Sequence, residues 1–106
     1  GDVYKRQGTD IRITTAVKEA GAALTRGMVV CLADGKLTQP AVTGSADPYT
    51  VATTGMYGIV ADDAANGKEA VVYLTGEFFA DALVLPEHAK AADVEIALRN
   101  IGIFLK

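Results

Sequence analysis

Glu69-Ala70-Val71-Val72-Tyr73-Leu74-Thr75 is the stretch on which the fold turns. Successive side chains of a strand point to opposite faces of a sheet. Ala70, Val72 and Leu74 therefore face one way, and Val71, Tyr73 and Thr75 the other. Both sets are largely apolar, whereas a strand with one wet face alternates apolar with polar. A small domain cannot cover both faces of one open sheet. Either the chain folds into a barrel-like or clip-like two-layer arrangement, or a neighbouring subunit covers one face.

Working upstream, Gly55 to Ala61 (GMYGIVA) reads as a second strand, with Gly58 marking a bulge or a close backbone approach. Between the two strands, Asp62 to Gly67 is a connection. Asn66 and Gly67 are expected to supply its left-handed positions. Gly27 to Ala33 lacks polar alternation and reads as a strand buried on both faces. Asp34-Gly35 signals a tight hairpin turn, Lys36 to Thr38 the returning strand, and Pro40 its end. Residues 41–54 hold five Ser or Thr, two Gly or Asp and a Pro, and read as a surface loop. Thr15 to Thr25 is alanine-rich and broken by Gly21, which favours a loop. Ile11 and Ile13 alternate with Arg12 and Thr14 ahead of it, as in a short half-buried strand.

Downstream, Gly76-Glu77-Phe78-Phe79 closes the long strand. Phe78 and Phe79 are adjacent and point to opposite faces, so one belongs in the core and the other either makes a subunit contact or packs beneath a loop. Pro86 stops the apolar run Leu83-Val84-Leu85. Val94, Ala97, Leu98 and Ile101 then form one helical stripe, with Asp93 as its expected N-cap and Gly102 past its end. Ile103 to Leu105 reads as a terminal strand or docked tail. The reading is a mainly β, small single domain with short helices, including one near the C-terminus.

Composition narrows the function. The chain has 106 residues, 10 basic and 13 acidic, for a net charge of −3. That length suits one core, and 50% hydrophobic with 22% charged residues is a globular composition. An acidic balance argues against nucleic acid as the main partner, since phosphate binding needs a basic patch. No apolar run has the length of a membrane span. A single cysteine, Cys31, excludes an internal disulfide framework and a cysteine-based zinc site.

Residues for chemistry are few. Ser45 and His88 are the only serine and histidine, and Ser45 lacks a nucleophile-elbow setting. Cys31 lies in a hydrophobic strand, a poor place for a nucleophile. Asp62-Asp63 reads as a solvated turn more readily than as a cation site. An enzyme would have to draw on Asp62, Asp63 and His88. A ligand- or glycan-binding module of a phage or bacterial surface would draw on Tyr49, Tyr57, Phe78 or Phe79. Neither a catalytic site, a cofactor site nor a metal site is assigned.

Gly1 to Gln7 reads as a scar and is set aside from the fold: Asp2 to Gln7 is similar to the in-frame translation of a transposase mosaic end used in sequencing libraries. Residues 8–26 are then an N-terminal segment whose native arm is expected to be truncated, and 27–106 the core domain.

From Leu24 onward the chain resembles the lambda-type bacteriophage head decoration protein family. The resemblance rests on Leu24-Thr25-Arg26-Gly27-Met28-Val29, Gly58-Ile59-Val60-Ala61, Val71-Val72-Tyr73-Leu74 and Gly76-Glu77-Phe78. It continues through Leu83-Val84-Leu85-Pro86-Glu87, the helical segment Asp93 to Asn100 and the ending Ile101 to Leu105. Order and spacing carry it, with Gly58, Ile59, Tyr73, Gly76, Phe78, Leu83 and Pro86 as its structural positions. It implies a β-clip-like, non-enzymatic capsid cement protein without cofactors. Such proteins sit as homotrimers on the outside of the expanded head, at local threefold axes, and clamp the major capsid protein against the pressure of packaged DNA. The implied location is the outer capsid surface of the virion, after assembly in the bacterial cytoplasm, with no nucleic acid or membrane partner. The family's N-terminal arm adds a strand to capsid elements. Here Ile11 and Ile13 stand nearest to where that arm would be, and with Phe79 they are the expected trimer or capsid contacts.

Overall fold

The computed structural model describes residues 12–106. Its eight strands are β1 (Thr14–Ala20), β2 (Val29–Ala33), β3 (Lys36–Thr38), β4 (Val42–Thr43), β5 (Thr50–Val51), β6 (Met56–Val60), β7 (Glu69–Phe78) and β8 (Ile103–Leu105). A 3-10 turn spans Ala80–Ala82, and the helix α1 spans Ala91–Asn100. Five strands run in the order β1-β3-β2-β6-β7, and β7 pairs back onto β1, closing the sheet into a barrel. The chain is mainly β, as the two-faced strand requires, and the barrel is one of the two-layer arrangements it allows.

Closure explains the doubly apolar strands. On β2, Val30 points into the barrel with Leu37, Val60 and Val72. Its neighbours Val29 and Cys31 point outward and pack with Ile59, Val94, Leu98 and Ile103 under α1 and β8. Both faces of β2 and β6 are thus covered within one chain. Cys31 is a buried, free thiol, raised above its ordinary pKa by desolvation.

The local signals that depend on near neighbours appear as expected. Asp34 and Gly35 both take positive φ, 53° and 77°, and join β2 to β3 as a two-residue turn. Gly58 sits where β7 crosses closest: a β-carbon on it would collide with the Tyr73 carbonyl. On α1, Val94 and Leu98 are fully buried with Ala97 and Ile101 beside them, and Gly102 follows the helix with φ 99°.

Four local readings are corrected. Thr14–Ala20 is a strand, where residues 15–25 read as a loop; antiparallel pairing with β7 along its length overrides the local preference of an alanine-rich segment. The loop 41–54 contains a small ribbon, β4 paired with β5, too short for any periodicity to announce. In the connection before β7 only Gly67 is left-handed, φ 83°; Asn66 is not. Asp93 is the third residue of α1 rather than its N-cap. The N-cap is Lys90, whose backbone N–H donates to Asp93 Oδ2 at 2.8 Å. In addition β7 runs on through Gly76 to Phe78, held there by the parallel strand β8.

Candidate functional site

Residues far apart in sequence meet beside the outer face of β6 and β7. Ile59 lies directly across from Tyr73 in the β6–β7 register. The Tyr73 and Phe78 rings stand 5.4 Å apart, tilted by 44°. Leu83, just past the 3-10 turn, completes the wall. Together they line a cleft of about 310 Å3. Four of the positions that carry the resemblance therefore share one cavity. Among the described residues Arg26 is the only charged one in its lining. The Arg26 backbone is held by Asp63, whose carboxylate accepts its N–H at 2.9 Å.

The remaining sequence candidates fall at different distances from this cleft. Gly76 is buried with φ 141°, and a β-carbon there would meet the Phe78 ring and the Ile13 side chain. Ile13 thus lies beside Gly76, yet it is 61% exposed, more open than a half-buried strand residue. Ile11 lies outside the described residues. Phe78 and Phe79 divide as adjacent residues must: Phe78 packs against the core and Phe79 is 61% exposed. The Lys106 ammonium sits 5.1 Å from the Phe79 ring centroid and 3.4 Å from Glu77 Oε1. Pro86 is half-buried at the approach to α1, where its carbonyl accepts the Ala89 N–H.

The outer face of the β1–β7 pair is different from that of β2 and β6, because neither α1 nor β8 covers it. Val17 and Val71 are cross-strand partners there, 51% and 38% exposed, with Tyr73 next along β7. Sequence reading missed Val17 because the segment read as loop. It missed Arg26 because no spacing links that residue to Tyr73 or Leu83.

The other candidates do not assemble. Tyr49 stacks on His88, ring centroids 4.0 Å apart and planes within 6°. Tyr57 packs against the barrel interior, so Tyr49, Tyr57, Phe78 and Phe79 form no single platform. Asp63 is engaged with Arg26, while His88 lies 3.7 Å from Glu87. Among the described residues no three His, Cys, Asp or Glu side chains are grouped to hold a metal. No helix among them is long and apolar enough to cross a membrane. Compared with protein-family models and with curated proteins, the chain matches none.

Proposed function

We propose that this chain is a non-enzymatic capsid decoration protein: a homotrimer that binds the major capsid protein on the outside of a phage head and stiffens the expanded shell. The observation that carries the reading is the uncovered apolar face of Val17 and Val71, continuous through Tyr73 with the cleft. Every other strand face of comparable apolarity is covered from within. A contiguous apolar patch on a small domain marks an interaction site. The ordered motif from Leu24 to Leu105 supports the identity of the partner, and the convergence of Ile59, Tyr73, Phe78 and Leu83 on one cavity gives that motif a physical purpose.

The work of such a protein is binding alone. Three weak contacts on one trimer engage a threefold site together, so the second and third are effectively intramolecular and the whole holds far better than each part. An acidic surface keeps the protein from competing for DNA.

Co-sedimentation with expanded phage shells, assembled from a major capsid protein of the head-decoration type, tests the proposal. The expected result is saturation at three copies per threefold site. Absence of binding overturns it and favours a ligand-binding module.

A further inference from the structure

The cleft and the exposed loop beside it are complementary to each other. The cleft is apolar, walled by Ile59, Tyr73, Phe78 and Leu83, and Arg26 is the one charged residue among the described residues that line it. The segment that leaves β7 carries Phe79, 61% exposed, and two residues later Asp81, also exposed. An aromatic ring with a carboxylate two positions on is what an apolar cleft with one cation accepts. Lys106 lies against the Phe79 ring and is tethered to Glu77, so the ring is supported in its exposed position before any partner arrives. A ring cannot enter the cleft whose wall its own neighbours Phe78, Ala82 and Leu83 build, but it can enter that of another copy.

We infer that Phe79 of one protomer inserts into the Arg26–Tyr73–Leu83 cleft of the next, with Asp81 meeting Arg26. Plug and socket are different surfaces, so around the threefold axis of the proposed trimer the contact runs head-to-tail, and the 120° rotation closes it into a ring. Because the segment 78–83 supplies both the plug and part of the socket, the two lie side by side, as a small ring around a nearby axis requires. This rests on the trimer of the proposed function and names the contact that builds it.

Sedimentation velocity of the full chain over a range of concentrations tests the contact. The wild-type protein is expected to associate reversibly to a trimer. Phe79→Ser should weaken association about thirtyfold, the size of effect seen for a central aromatic anchor, without loss of fold, since the side chain is outside the core. Arg26→Asp and Asp81→Arg should each weaken association, and the double reversal should restore it. A wild-type chain that stays monomeric, or a trimer that Phe79→Ser leaves intact, overturns the contact. Shell binding reads out the decoration proposal separately: shells saturated by a Phe79→Ser chain that still trimerises remove this contact and keep decoration. Trimers that respond to all three variants but never bind shells keep the contact and remove decoration.

Discussion

The α-carbon of Gly58 faces the carbonyl oxygen of Tyr73 at a distance that leaves no room for a side chain: a β-carbon on Gly58 would lie closer to that oxygen than 3.0 Å. The obstacle is backbone, fixed by the pairing of Ile59 with Tyr73 and Val60 with Val72 and by that of Gly58 with Val30, so it cannot swing away. Gly58→Ala is expected to destabilise the domain by about 3 kcal/mol, the upper end of ordinary overpacking. Urea denaturation of the two proteins measures it. A loss under about 1 kcal/mol would mean that β6 and β7 can separate locally at little cost.

The helix is held by packing rather than by its own propensity, since ten residues are too few to be stable alone. Leu98 is fully buried against the outer face of β2 and β6, while Ile96, two residues before it, is mostly exposed. Leu98→Ala should therefore cost about 2–5 kcal/mol, and Ile96→Ala within about 0.5 kcal/mol. Thermal unfolding of both variants separates the buried stripe from the wet one. Equal losses would mean that α1 is packed on a different face.

Asp93 accepts the Lys90 N–H from inside the first turn, satisfying one donor next to a helix start that also favours negative charge. Asp93→Ala should cost about 1 kcal/mol. Asp93→Asn, which keeps an acceptor oxygen without the charge, should recover part of it. Chemical denaturation of the pair distinguishes a hydrogen-bonding role from mere proximity, in which case both variants would match the wild type.

What could be read from the sequence was whatever short stretches decide by themselves. Asp34-Gly35 specifies its turn because two left-handed residues suffice to make it. β2 follows from an unbroken apolar run, and the helix from the period of the stripe Val94–Ile101, each contained within its own segment. Glu69 to Thr75 narrowed the fold to a barrel-like or clip-like two-layer arrangement, or a face left for a neighbouring subunit, and the closed sheet is the first of these. β1 was illegible because an alanine-rich strand has no local reason to be extended; its partner β7 lies some fifty residues away and supplies that reason. The helix start was misplaced by three residues because Asp is a favoured N-cap type, whereas here the Asp93 carboxylate sits at the third position and accepts the N–H of the N-cap residue Lys90. Of the cleft, Ile59, Tyr73, Phe78 and Leu83 were singled out as motif positions. Their meeting, and the addition of Arg26, depends on β-pairing and the 3-10 turn, which no spacing encodes.

Val17 and Val71 face each other across the β1–β7 ladder on the uncovered side of the barrel. Threonine has nearly the shape of valine and suits a strand equally, so the double variant Val17→Thr, Val71→Thr removes apolar character while keeping form. Because both positions are partly wet, stability should change by no more than about 1 kcal/mol. Shell occupancy, or self-association, should fall measurably at the same protein concentration. Unchanged binding in both assays would show that this face is not a contact.

Cys31 gives the domain a dependence on alkaline pH. Burial disfavours the thiolate, so the thiol titrates above its ordinary value of 9.0 when folded. Below that value both folded and unfolded chains carry the proton and the group is neutral to stability. As pH rises past it, the unfolded chain loses the proton first, and stability declines until the folded-state thiol titrates as well. The urea midpoint should therefore drop between pH 8 and pH 10 by more in the wild type than in Cys31→Ala, which has no thiol to titrate. The same burial makes the thiol slow towards disulfide reagents at pH 8 in the native protein and fast in urea. Equal alkaline losses in the two proteins would assign the decline to other groups and leave Cys31 a packing residue alone.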